Sequence, residues 1–436
     1  MADPGMSVAP YWELTFDADG DADPAERDRL LAQAAERGVR DLIVLAHGWN
    51  EDRPDAARLF SRFFAPVPGL APAARIGYAG VMWPSMRFAD EPIPDFPHAA
   101  AGPAARLALD DVTRHALLEA FPGRAMVVDR LGRMLEQRPR EDAGLAEFGR
   151  LVRLLVEAPP PGPQAHFAAD TEAEGVPQDE PGMFSRPAAQ VCAEFAQAAA
   201  RLEAEDREPF SPPDPWDGAK ELLRQATYYA MKRRAGTVGE RGLGPAVGRL
   251  AEAVPGLRVH LAGHSFGGRL VSFALRGLPA GVRAVKSVTL LQAAFSHYAF
   301  AARLPKDPRA GGVLQGQEHR VDGPLVCCHS RHDSALGTFY PLASRMADDD
   351  RSALGVDVGA LLGSRWGALG HDGVQAVPGT RACDLAAALS GALPASGCVN
   401  VDVSEVVRRG GPPSGAHNDI LHPELARLVL AAGRIR

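Results

Sequence analysis

Residues 257–278 constrain this chain more than any other part of it. An aliphatic run, Leu257-Arg-Val-His-Leu-Ala262, leads into Gly263-His-Ser-Phe-Gly267-Gly268. Residues 268–277 then read as a helix whose apolar face is Leu270, Val271, Ala274, Leu275 and, just beyond, Leu278. A bare G-x-S-x-G is a weak signal, and a glycine-rich turn without chemistry would satisfy it. The buried strand before it and the amphipathic helix after it are what a nucleophile elbow requires. The bend is too tight for side chains two residues either side of the serine, and Gly263 and Gly267 meet that need. Such an elbow lifts Ser265 Oγ above the sheet edge, with a helix N-terminus behind it that favours developing negative charge.

The same alternation runs through much of the chain. Residues 41–46 (DLIVLA) are an unbroken aliphatic run, as expected of a strand covered on both faces. Further strands are expected at 76–83, 284–291, 324–328 and 399–403, with an edge strand at 11–16. Helices are expected at 25–37, 55–64, 217–234, 244–254 and 423–432. Strands alternating with helices predict an α/β fold with a mainly parallel sheet flanked by helices. Residues 88–216 differ, being rich in Ala, Leu, Arg and Glu and poor in β-branched residues. They predict helices at about 103–120, 124–138, 141–157 and 187–204, with a Pro/Gly/acid loop at 158–185. The expected organisation is therefore an α/β core from 1–87 and 217–436, with an α-helical insertion at 88–216 serving as a cap or an interaction surface.

Charge and hydropathy narrow the function classes. The net charge is −7, with 47 basic against 54 acidic residues and no basic block, which argues against a nucleic-acid partner. The longest uncharged stretches, 287–302 and 385–401, are short and interrupted by polar residues, so no transmembrane segment is expected. The first ten residues, MADPGMSVAP, lack the apolar stretch of a secretory signal. Five irregularly spaced cysteines are no disulfide framework. A cytoplasmic location is the resulting expectation. Oligomeric state is not legible.

The segments VLAHGWN, VMWPS, VHLAGHSFGG, PLVCCHSRHD and GAHNDIL, in this order, resemble the α/β-hydrolase superfamily. Within it, the Trp83-Pro84-Ser85 strand end and the tyrosine-bearing helix before the elbow resemble a bacterial α/β-hydrolase-like group without a settled function. The resemblance implies a serine hydrolase with nucleophile, acid and histidine in that chain order. It makes His417 the base, with His422 its rival. No acid follows 284–291 until Asp307, whereas Asp333 stands five residues beyond 324–328; Asp333 is the expected orienting carboxylate, ahead of Asp402 and Asp419. The oxyanion hole would use the amides of Phe266 and Trp49. His47 and Gly48 support that loop, and Gly263 and Gly267 support the elbow.

The run Cys327-Cys328-His329-x-x-His332-Asp333 superficially resembles a metal site, but adjacent strand residues point to opposite faces, and no metal is expected. Arg233-Arg234-Ala235-Gly236 lacks phosphate-loop spacing, and no cofactor is expected. The expected substrate is a small-molecule or lipid-like ester cleaved through an acyl-enzyme on Ser265. Thioesterase, lipase, peptidase and acyltransferase chemistry would use the same residues. The competing reading is a non-catalytic scaffold or binding protein that uses the helical insertion as its partner surface.

Overall fold

A computed structural model describes residues 5–49, 51–86, 88, 109–139, 142–156, 169–173, 182–203, 214–305, 307–333, 367–410 and 415–436. The first half contributes β1 (Tyr11–Thr15), α1 (Pro24–Glu36), β2 (Asp41–Ala46), α2 (Arg53–Phe64), β3 (Ile76–Met82), α3 (Asp111–Ala120), α4 (Ala125–Gln137), α5 (Asp142–Val156), β4 (Thr171–Ala173) and α6 (Ala188–Glu203). The second half contributes α7 (Ala219–Thr237), α8 (Gly244–Ala253), β5 (Arg258–His264), α9 (Phe266–Gly277), β6 (Val285–Leu291), β7 (Ala310–Gly312), β8 (Pro324–His329), β9 (Arg381–Asp384), β10 (Gly397–Asp402) and α10 (Pro423–Gly433).

Eight strands form one sheet in the order β1-β3-β2-β5-β6-β8-β10-β9, every pairing parallel. Parallel strands need helical crossovers, which cover both faces. Along β2, Leu42, Val44 and Ala46 join one apolar cluster with α1, α7, α8 and α9, whereas Ile43 and Leu45 join another with α2 and α10. That is why the strand carries no polar alternation. β1 sits at the sheet edge and does alternate, with Trp12 and Leu14 buried. Helices α3 to α6 extend the first cluster outward on α7. No described helix is long and apolar enough to cross a membrane.

The structure departs from the sequence reading at three places. A break was expected near 235–243, but α7 continues through a π-helical turn, Val238–Leu243, directly into α8. The glycines there permit close packing. A Cβ on Gly239 would meet the Leu270 carbonyl and lie 2.9 Å from Phe273 Cβ on α9, and one on Gly242 would lie 2.7 Å from Phe16. Within the expected loop 158–185, Thr171–Ala173 pairs antiparallel with β7; residues 157–168 and 174–181 lie outside the described set. Strand β9 was missed because its mostly exposed residues, Arg-Ala-Cys-Asp, carry no apolar run. The start of the helix expected at 103–120 also lies outside the described residues, and its described part is N-capped by Asp110.

A buried ionic cluster ties this region to the elbow helix. Fully buried Arg269 on α9 pairs with Asp170 and donates to the Lys232 carbonyl at 3.0 Å and the Ala169 carbonyl at 2.7 Å. Asp170 also holds Lys232 Nζ at 2.7 Å and accepts from the Ser296 amide at 3.1 Å. Gly239→Ala provides a sign test of the packing. In an open helix the change would stabilise by about 1 kcal/mol, but against α9 it is expected to destabilise by about 1–3 kcal/mol, read by urea unfolding. A stabilised variant would refute the close approach.

Candidate active site

The turn from β5 into α9 puts Ser265 at φ 54°, ψ −120°, a left-handed conformation costly for a non-glycine residue. Three main-chain hydrogen bonds hold it there. Ser265 N–H donates to the Leu291 carbonyl at 3.1 Å, and the Ser265 carbonyl accepts from Gly268 at 3.0 Å and Ala294 at 3.2 Å. The glycines let the neighbouring chains close in. A Cβ on Gly263 would collide with the Gly267 backbone, and one on Gly267 would lie 2.5 Å from the His47 carbonyl. A Cβ on Gly48 would lie 2.9 Å from Ser265 Cβ. The loop after β2 therefore rests directly on the turn at Ser265.

His417 comes from the loop between β10 and α10. Its Nδ1 lies 2.8 Å from Asp333 Oδ2 and its Nε2 lies 2.9 Å from Ser265 Oγ. A carboxylate can only accept, so Nδ1 carries the proton and Nε2 presents its lone pair to the serine hydroxyl. Asp333 is completely buried beyond the end of β8, whereas the His417 side chain keeps 12% of its surface exposed. The Ala416 amide donates to the His332 carbonyl at 2.9 Å, which pins the loop carrying His417 to the loop carrying Asp333.

The rival residues take other places. His422 Nε2 pairs with Asp419 Oδ1 at 2.9 Å. Asp419 also accepts from the amides of Arg408 and Arg409, so it orders its own loop, whereas His417 pairs with Asp333. Asp402, at the end of β10, accepts from the Ser404 amide. Cys327 and Cys328 point into opposite apolar clusters, and no group of three or more described His, Cys, Asp or Glu residues is arranged to hold a metal ion.

Among the described residues, neither the Phe266 nor the Trp49 amide has a hydrogen-bond acceptor. The Trp49 ring packs edge-on against Tyr228 at 5.3 Å and Phe88 at 6.3 Å, and Tyr228 lies 4.6 Å from the Phe266 ring. His47 anchors the loop. Its Nδ1–H donates to the Gly48 carbonyl at 2.9 Å, its carbonyl accepts from Trp83 Nε1 at 3.0 Å, and its ring stacks on Trp83. Burial holds the His47 imidazole below its ordinary pKa, which keeps it neutral.

Sequence reasoning missed three polar residues around this site. Gln292, at φ 46°, follows β6 where an earlier acid would stand. Its Nε2 donates to Asp333 Oδ2 at 3.2 Å and to the Gly370 carbonyl at 2.8 Å, bracing the carboxylate. Buried His264 ends β5 against the loop after β2, and buried Glu51 lies within that loop. The polar residue right after β6 and the histidine inside the elbow were the available signals. A second Ser/His/Asp set, also unforeseen, occupies the opposite end of the sheet. His260 lies 3.0 Å from Asp41 and 2.9 Å from Ser287 Oγ. His260 and Ser287 are completely buried at strand starts, so this set joins β2, β5 and β6 and is closed to any substrate. No family model, curated protein or solved structure matches this chain.

The buried imidazoles set a pH dependence. Burial lowers the pKa values of His47, His260 and His329, whereas the hydrogen bond to Asp372 raises that of His371. For the three lowered groups the unfolded chain binds more protons, so their contribution is lost as pH falls below about 6.5. His371 contributes in the opposite sense, losing stability as pH rises through its folded value. Denaturant unfolding is expected to show stability falling from pH 7 to pH 5.5, with a shallower slope for His260→Gln. An identical slope in that variant would refute the assignment.

Proposed function

We propose that the chain is a serine hydrolase of the α/β-hydrolase type, cleaving an ester-like bond through an acyl-enzyme on Ser265. The observation that carries this reading is the continuous hydrogen-bonded chain from Ser265 Oγ through His417 to the buried Asp333 carboxylate. Its position at the C-terminal edge of a parallel sheet, where α/β folds bind ligands, adds support.

In this mechanism Ser265 Oγ attacks the carbonyl carbon while its proton passes to His417 Nε2. Asp333 keeps the imidazole in the productive tautomer and stabilises the imidazolium. The amides of Trp49 and Phe266, which have no acceptor among the described residues, receive the oxyanion. The carbon–oxygen bond to the leaving group then breaks, and His417 returns the proton to the departing alcohol. Water, deprotonated by the same nitrogen, attacks the acyl-enzyme and releases the acid and free Ser265. A thioester would follow the same path with a thiol leaving. The aromatic side chains beside Trp49 favour an apolar acyl or alcohol portion.

A panel of activated esters and a fluorophosphonate probe test the reading. Ser265→Ala is expected to lower turnover by about 10³-fold or more and to abolish labelling. Gly48→Ala, whose methyl would crowd Ser265, is expected to cost about 10²-fold in kcat. A wild-type chain inert to both esters and probe would favour the non-catalytic scaffold.

A further inference from the structure

Two buried titratable side chains next to the triad have no step in the proposed acyl transfer. His264, 1% exposed, ends β5 immediately before the nucleophile. Its Nε2–H donates to the His417 carbonyl at 3.0 Å, which holds the main chain of the residue carrying the base. The opposite edge of the same ring faces the loop after β2. There Nδ1 lies 3.5 Å from Glu51 Oε1, and a Cβ on Gly48 would lie 3.1 Å from Nδ1. One imidazole thus touches the elbow, the base loop and the loop bearing the Trp49 amide.

Glu51 is 6% exposed, and a carboxylate so far removed from water needs compensation. Arginine and lysine do not supply it among the described residues; its ion-pair neighbours are His264 and, at 3.9 Å, His47 Nδ1. The His47 proton is already committed to the Gly48 carbonyl. His264 donates to the His417 carbonyl through Nε2, so its nearer Nδ1 meets Glu51 as a donor when the ring carries a proton on each nitrogen. His264 Nδ1 lacks a hydrogen-bond partner among the described residues and faces Glu51 Oε1 at 3.5 Å, whereas Glu51 Oε2, also without one, lies on the His47 side. The Glu51 carbonyl accepts from Ser85 Oγ at 2.9 Å, fixing that end of the loop.

We propose that His264 and Glu51 are a positioning pair that locks the base loop to the oxyanion loop, so that His417 Nε2 and the Trp49 amide stay aligned on Ser265. Neither group exchanges a proton with substrate. The inference rests on the serine-hydrolase reading above and adds two residues to it.

The test measures kcat, KM and fluorophosphonate labelling of the full chain, with thermal melts as the folding control. His264→Phe keeps the ring volume but removes the donor, and Glu51→Leu removes the carboxylate. Each is expected to lower kcat by about 10- to 100-fold, with KM held within about threefold. The double variant is expected to be no worse than the poorer single one, since both act through one contact. His264→Gln retains an N–H toward the His417 carbonyl and is expected to recover kcat to within about fivefold of wild type. Wild-type kcat in a folded His264→Phe or Glu51→Leu variant would overturn the clamp, as would equal losses in His264→Gln and His264→Phe. Should His264→Phe not fold, Glu51→Leu and His264→Gln decide alone. An unreactive wild-type chain removes the hydrolase reading itself, whereas a reactive wild type with equally reactive variants removes only the clamp.

Discussion

The left-handed bend at Ser265 is the constraint around which the remaining structure is arranged. A side chain at φ 54° persists only where its surroundings over-determine it. Here the strand on one side and the loop after β6 on the other supply hydrogen bonds to both main-chain groups of Ser265. The glycines around it serve that end. Gly263, Gly267 and Gly48 are places where main chain meets main chain or Cβ, with no room for a methyl group. The strain is what turns the hydroxyl outward to meet His417.

Parallel topology explains why distant residues converge there. Every described strand of the main sheet runs in the same direction, so the loops after β2, β5, β6, β8 and β10 emerge at one edge. Those loops carry Trp49, Ser265, Gln292, Asp333 and His417. The opposite edge gathers Asp41, His260 and Ser287 in similar geometry. That set is sealed by strand starts and by α10, where a Cβ on Gly433 would lie 2.6 Å from His260 Nδ1. Chemical identity is shared by the two ends, and access separates them.

The helical segment between β3 and β5 is joined to the elbow by charge rather than by apolar contact alone. Arg269, buried on α9, is matched by Asp170 from that segment, with Lys232 beside it. Breaking such a group by removing one partner would leave an uncompensated buried charge, so the three residues act as a unit. The connection fixes where Asp170 stands relative to Ser296, which follows β6.

The local rules of the chain were legible from its residues. Unbroken aliphatic runs marked the buried parallel strands, and the glycine spacing around Ser265 marked the bend, because strand burial and tight turns each demand particular side chains. His417 and Asp333 could be ranked by their place in the chain order, but only folding brings 417, 333 and 265 within hydrogen-bond distance. Contacts made across long sequence separations left no local trace. Gln292 behind Asp333, His264 against Glu51, Arg269 on Asp170 and the glycines that continue α7 into α8 all answer to neighbours far along the chain. Sequence spacing reports the demands of a residue's own strand or helix; the partner that satisfies a buried polar group is chosen by the way those elements pack.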